Sequence, residues 1–293
     1  MKSAVFAAVL AALSAKASPL EPRSIADLDT LNFALTLEHV EVAFYTMGLR
    51  NYTEQDFRRA GFPAGTRNQF VEILENESAH VEFLERLLGT RAAKPCTYQF
   101  PVDSPKSFAA LSQVIENVGT GAYTGAISTL SQQYITGSAS ILGTEARQAS
   151  LVASYVNGVE GWGNPFNIPL TKNQAFTLAA PFFVSCPRSN PPLPGVRANP
   201  PLTFPSDANP GETVSVGFRS NTNRRLFAVF LFGLEQIVVP VNNGRVTIPE
   251  GLAGQVYCLI STSPNGVTDG TTVAGPAILQ FQYTLTGQYI ENR

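Results

Sequence analysis

The chain has 293 residues, enough for two domains at a usual size of about 150 residues each. It carries 20 Lys and Arg against 22 Asp and Glu, a net charge of −2, which excludes the basic excess that nucleic-acid binding requires. Apolar residues make up 44 % and charged residues 14 %, so most of the chain can bury a core, and three cysteines are too few for a disulfide-dense scaffold.

Residues 1–17 read as a signal peptide. Lys2 supplies the positive end, 4–13 is an apolar run too short to span a bilayer, and Ala15 and Ala17 flank a cleavage site. The mature chain is then expected to start near Ser18 and to be secreted. No later segment reads as a membrane span. The best, 226–241, contains Glu235 and Gln236. In an oxidising compartment Cys96 and Cys186, each beside a proline in loop-like sequence, are expected to pair. Cys258 lies in an apolar strand pattern and reads as a buried free thiol. Asn51 opens a glycosylation sequon at a helix end, whereas the sequon at Asn76 falls inside a helix.

Residues 25–160 read as four helices. The first carries an inward stripe of Leu28, Leu31, Leu35, Glu38, Val42, Tyr45 and Leu49, and the second one of Phe70, Ile73, Leu74, Glu77, His80, Val81, Leu84 and Leu88. The third starts near Ser104, with Pro105 in its first turn, and its line runs through Ala109, Ser112, Glu116, Gly119, Tyr123 and Ile127. The fourth carries Ile141, Glu145, Gln148, Val152 and Tyr155.

The pattern repeats. Glu38 stands seven before Tyr45, as Glu116 stands seven before Tyr123. Glu77 stands three before His80, as Glu145 stands three before Gln148. Four carboxylates facing one bundle core would repel each other and lose hydration, and bridging cations remove both costs. One Glu from each of two helices plus Glu-x-x-His from the other two is how carboxylate bundles hold a metal pair. Gln148 breaks the pattern. A neutral amide is a poor ligand for a transition metal, so one ion rather than two is expected, with His80 on the filled side.

The stretches 31–45 (LNFALTLEHVEVAFY) and 75–84 (ENESAHVEFL) resemble the secreted ferritin-like proteins of fungi, of the stress-response or late sexual development type, which are related to plant desiccation-related proteins. The resemblance spans roughly residues 25–187, including 96–101 (CTYQFP) and 184–187 (VSCP). It implies a ferritin-like four-helix bundle over 18–187, with Glu38, Glu77, His80, Glu116 and Glu145 as ligands to iron or manganese. Tyr45, and Tyr123 as its counterpart, would tune the site or carry electrons. Glu41 and His39 would be supporting groups or spare ligands, with Glu41 favoured, and Gln148 would sit beside the ligands.

Thr171 caps a short closing helix over 171–180, and a Pro-rich linker occupies 188–210. Strand patterns follow at 213–219, 226–232, 236–241, 246–249, 255–262 and 278–284, with a hairpin turn signal at Asn242, Asn243 and Gly244. Residues 211–293 are thus expected to form a small all-β immunoglobulin-like sandwich behind the all-α bundle. Three functions compete: a metal-dependent oxidoreductase acting with oxygen or peroxide, a non-enzymatic stress protein with a degenerate site, and a cell-surface protein contacting the cell wall through its β half.

Overall fold

In the computed structural model, which describes residues 24–293, the first half of the chain is helical and the second half is β. The targeting segment expected at residues 1–17 lies outside the described residues. The helices are α1 (Ile25–Asn51), α2 (Glu54–Arg59), α3 (Thr66–Leu88), α4 (Pro105–Ala126), α5 (Gln132–Leu151) and α6 (Lys172–Ala179). Their starts follow local chemistry. The Ser24 hydroxyl accepts from the Asp27 amide, Ser104 caps α4 with Pro105 at the first turn, and Thr171 caps α6. The short α2 is not foreseen from periodicity, although Thr53 and Asp56 form a capping box at its start. After α5 the chain opens into a wider π turn over Val152–Val156.

α1 packs with α3, and α4 with α5, as two helical hairpins. One end of the bundle is filled by Leu31, Leu35, Leu84, Leu88 and Ile141. The other is filled by aromatic rings, with Phe44, Phe57, Phe70 and Phe108 all fully buried and the Phe44 and Phe108 rings stacked at 4.7 Å. Burying each such ring contributes about 1.5–3 kcal/mol. The polar stripe residues lie between these two apolar ends.

Two short strands, β1 (Thr97–Tyr98) and β2 (Phe183–Ser185), pair antiparallel beside a disulfide joining Cys96 to Cys186. This ties the connection after α3 to the end of the helical half. Cys258 is free and buried, as its strand pattern suggests.

The β half contains β3 (Leu202–Thr203), β4 (Thr213–Ser215), β5 (Gly217–Phe218), β6 (Phe227–Phe232), β7 (Glu235–Pro240), β8 (Arg245–Thr247), β9 (Gly254–Ser261) and β10 (Thr272–Phe281). An antiparallel sheet runs in the order β10-β9-β6-β7, and β3–β5 and β4–β8 form two separate ribbons. Asn243 and Gly244 both take positive φ, 51° and 71°, in the turn between β7 and β8.

Both faces of the sheet are covered. Ala228, Phe230, Val256, Cys258 and Ile260 pack with Leu202, Val246, Ile248 and Leu252 of the ribbons and loops. The alternate residues, Val229, Leu231, Tyr257 and Leu259, pack with Phe33 and Leu37 of α1, Val118 and Ala122 of α4, and Ala175 and Ala179 of α6. The two halves therefore share an apolar layer. The Pro-rich stretch expected as a linker contributes to the β core as well. It includes β3, which pairs with β5, and its Leu202 and Ala208 are buried. Among the described residues no helix is long and apolar enough to cross a membrane.

Candidate metal centre

The stripes of α1, α3, α4 and α5 converge on a polar layer. Glu38, Glu77, Glu116 and Glu145 have no solvent exposure, and His80 is 9 % exposed. Isolated carboxylates in such a place would be strongly unfavourable, so each must be protonated, hydrogen-bonded or neutralised by a cation.

Glu38, Glu77, His80 and Glu145 each offer a ligand atom, and these atoms all lie within 4.8 Å of one another. His80 Nδ1 is 3.1 Å from Glu77 Oε2 and 3.3 Å from both Glu38 Oε2 and Glu145 Oε1. One ring nitrogen carries at most one proton, and it hydrogen-bonds Glu77. Glu38 Oε2 and both oxygens of Glu145 are buried and accept no hydrogen bond from the described residues. Three orphaned carboxylate oxygens beside an imidazole are a donor set suited to a cation, and oxygen-plus-imidazole chemistry suits iron, manganese or zinc.

Protonation follows from the same burial. It pushes the carboxyls of Glu145, Glu116 and Glu41 well above their ordinary range, with neighbouring carboxylates adding to the shift. Glu77 is pushed up to about 7, by burial first, against the opposing hydrogen bond from His80. For His80, burial disfavours the charged ring, but Glu38, Glu145 and Glu77 outweigh it and raise its pKa. Tyr45 and Tyr123 are held protonated by burial and by the carboxylates beside them.

Glu116, expected as a ligand, is not among the four residues whose ligand atoms lie within 4.8 Å of one another, and both of its oxygens accept hydrogen bonds. Oε1 accepts from the Tyr45 phenol, and Oε2 accepts from Gln148 Nε2 at 3.1 Å. The Gln148 amide also donates to Glu77 Oε1. It thus lies between the carboxylates of α3 and α4, where a second histidine would complete the repeat. Tyr123 donates to Glu38 Oε1 across the bundle. Glu41 is buried near the cluster, whereas His39 points away and meets the Ala93 carbonyl at 3.1 Å through Nε2. Asn51 ends α1 and is exposed.

Three contributors escape sequence reasoning in these roles. Asn76 Nδ2 donates to Gln148 Oε1 at 2.8 Å and so turns the Gln148 amide nitrogen toward the glutamates. The Ser112 hydroxyl lies 2.7 Å from the Tyr45 phenol. Gly119 leaves the space into which two carboxyls reach, since a Cβ there would lie 2.6 Å from Glu145 Oε2 and 2.7 Å from Glu41 Oε1. The lines of α3 and α4 carry weak signals for them, an amide beside Glu77, a serine and a glycine on inward positions.

Residues 26–158 match the family model of the ferritin-like domain. Protein rds1 of Schizosaccharomyces pombe is 29 % identical over 180 residues, which are 59 % of this chain and 43 % of that protein. The chain thus spans less than half the length of this curated relative. Among solved structures, the conserved hypothetical protein rv2844 of Mycobacterium tuberculosis is 21 % identical with a TM-score of 0.37, covering 45 % of this chain and 97 % of its own.

Proposed function

We propose that this protein, through its ferritin-like domain, holds one iron or manganese ion among Glu38, Glu77, His80 and Glu145, and works outside the cell in stress response or development. The observation that carries this reading is the set of buried carboxylate oxygens on Glu38 and Glu145 with no hydrogen-bond donor. When bound, such an ion supplies one-electron chemistry toward oxygen or peroxide.

The chain's own residues do the rest. Tyr123 fixes the Glu38 carboxylate from behind, leaving its second oxygen free to face the cluster. His80 presents Nδ1 to three carboxylates, so one deprotonated ring can replace a proton-mediated contact by a ligand bond. Apolar residues at both ends of the bundle exclude bulk water from the layer. The Cys96–Cys186 disulfide supports an oxidising compartment, and the exposed Asn51 is suitably placed for glycosylation.

A second reading has a specific observation behind it. The Gln148 amide and the Tyr45 phenol engage both oxygens of Glu116 without any ion, which favours a non-enzymatic stress protein that keeps the bundle with a degenerate site holding no ion. Elemental analysis of native protein purified without chelators separates the two. Bound iron or manganese near one per chain supports the first reading, and no bound transition metal overturns it.

A further inference from the structure

A cavity of about 170 Å³ lies beside the carboxylate layer, between α1, α4, α6 and β10. Its walls are apolar, with Leu37, Val40, Val118, Leu178, Phe182 and Ile278 among them. One ionisable residue, Glu41, is among those lining it. Glu41 is 3 % exposed, and no hydrogen bond from the described residues reaches its carboxyl. We propose that this cavity is a binding site for a small single-ring molecule bearing one hydroxyl group, of the size and chemistry of phenol, with the ring on the apolar walls and the hydroxyl on Glu41.

Size, lining and charge each narrow the ligand. A dry apolar cavity of about 150 Å³ is enough for benzene, and water needs two to four polar partners that these walls do not offer. A hydroxyl both donates and accepts, so it can meet Glu41 whether that carboxyl is charged or neutral. An anionic ligand would face Glu41 with Glu145 close behind, since both carboxyls converge on the space left by Gly119. A cationic ligand would lose its hydration against apolar walls. Ile278 is supplied by the β half and Leu178 by the closing helix, so the site exists only because the sheet docks on the bundle. None of this depends on a bound ion.

The experiment uses the full chain, freed of metal by chelation, so that its result stands apart from the metal reading. Phenol, toluene and benzoate are titrated by ligand-observed NMR. Phenol is expected to bind about tenfold more tightly than toluene, in line with one hydrogen bond to a buried carboxyl, and benzoate not measurably. Glu41→Leu should erase the preference for phenol while keeping toluene, and Val118→Trp should abolish both. Intermolecular NOEs from phenol to the methyl groups of Leu178 and Ile278 in the wild type give a test independent of any variant. Absence of those NOEs at saturating phenol overturns the site. A phenol preference that survives Glu41→Leu overturns the role of Glu41.

Discussion

Tyr123 on α4 donates its phenol to Glu38 on α1. Tyr45 on α1 returns the arrangement, donating to Glu116 on α4. Each tyrosine stands seven residues beyond the glutamate of its own helix and braces the glutamate of the facing one. The two hairpins thus exchange equivalent contacts, and the equivalence fails at one place, where α3 offers His80 and α5 offers Gln148. Around His80 one oxygen of Glu38 and both oxygens of Glu145 are left unsatisfied, whereas Gln148 donates to both Glu77 and Glu116.

That difference separates two otherwise matching substitutions. Tyr123→Phe removes a donor from Glu38, whose other oxygen already lacks one. Tyr45→Phe leaves Glu116 still bonded to Gln148. In metal-free protein, Tyr123→Phe should cost about 1–3 kcal/mol, the usual loss for stranding a buried acceptor, and Tyr45→Phe distinctly less. Urea unfolding in the presence of chelator measures both. Equal losses would contradict the asymmetry.

The disulfide gives a covalent check. Non-reducing peptide mapping should recover Cys96 joined to Cys186. Replacing both by serine should lower stability by about 2–5 kcal/mol. Cys258 should resist alkylation until the chain unfolds, because it is buried and burial pushes its thiol pKa well up.

The shared apolar layer makes the halves interdependent. A fragment of residues 18–187 would expose Phe33, Leu37, Val118, Ala122, Ala175 and Ala179 to water. It should aggregate or melt with reduced cooperativity, and Leu259→Asp in the full chain should weaken the helical half along with the sheet. Circular dichroism melts decide this. A fragment as stable as the full chain would show that the layer contributes little.

Much of this architecture is legible in the residues themselves. Glu38, Glu77 and Glu145 declare themselves because they carry charge on stripes that are otherwise apolar, and Ser104 and Thr171 because a hydroxyl precedes the first helical turn. The docking of the sheet is harder to read. β6 runs Phe227, Ala228, Val229, Phe230, Leu231 with no polar alternation, and such a run marks burial on both faces. What covers the second face cannot be read from the strand, since its partners lie on α1 and α4 far away in sequence. Asn76 is hidden for the same reason. Its local context reads as a sequon, while its partner Gln148 is 72 residues distant. The engagement of Glu116 follows from that long-range pair, so spacing alone makes Glu116 look equivalent to Glu38.

Burial of the glutamates also fixes a pH dependence. Glu77 rises from 4.5 to about 7, and Glu116 and Glu145 are raised well above 4.5. The metal-free folded protein therefore holds protons that the unfolded chain has released, and its stability should fall as pH climbs from about 4.5 through 7. His80 does not reverse this. Its raised pKa gives stability that is complete below 6.5 and declines as pH rises toward its folded value. Asp27, held below 3.8, acts only under more acidic conditions. Urea midpoints from pH 5 to 8 with chelator should decline. With manganese present the trend should flatten or invert, because binding requires deprotonated ligands. A rising midpoint in chelator would count against the protonated cluster.

Metal stoichiometry tests the centre most directly. Wild-type protein should load about one iron or manganese per chain, at the group containing His80. His80→Ala removes its imidazole and should lower loading toward none. Gln148→His replaces an uncharged amide by a nitrogen ligand three residues after Glu145, and frees Glu116 Oε2 from its present donor. It should raise loading toward two. Asn76→Ala should act in the same direction but more weakly, since it only releases the Gln148 amide from its orientation. The measurement is elemental analysis of the four proteins, purified alike, stripped and reloaded. A wild type already holding two ions, unchanged by Gln148→His, would show that the amide does not block the second position. No metal in any of them would leave the bundle as a scaffold, with protons on Glu77, Glu116 and Glu145 and hydrogen bonds from Tyr45, Tyr123 and Gln148 offsetting the burial of its glutamates.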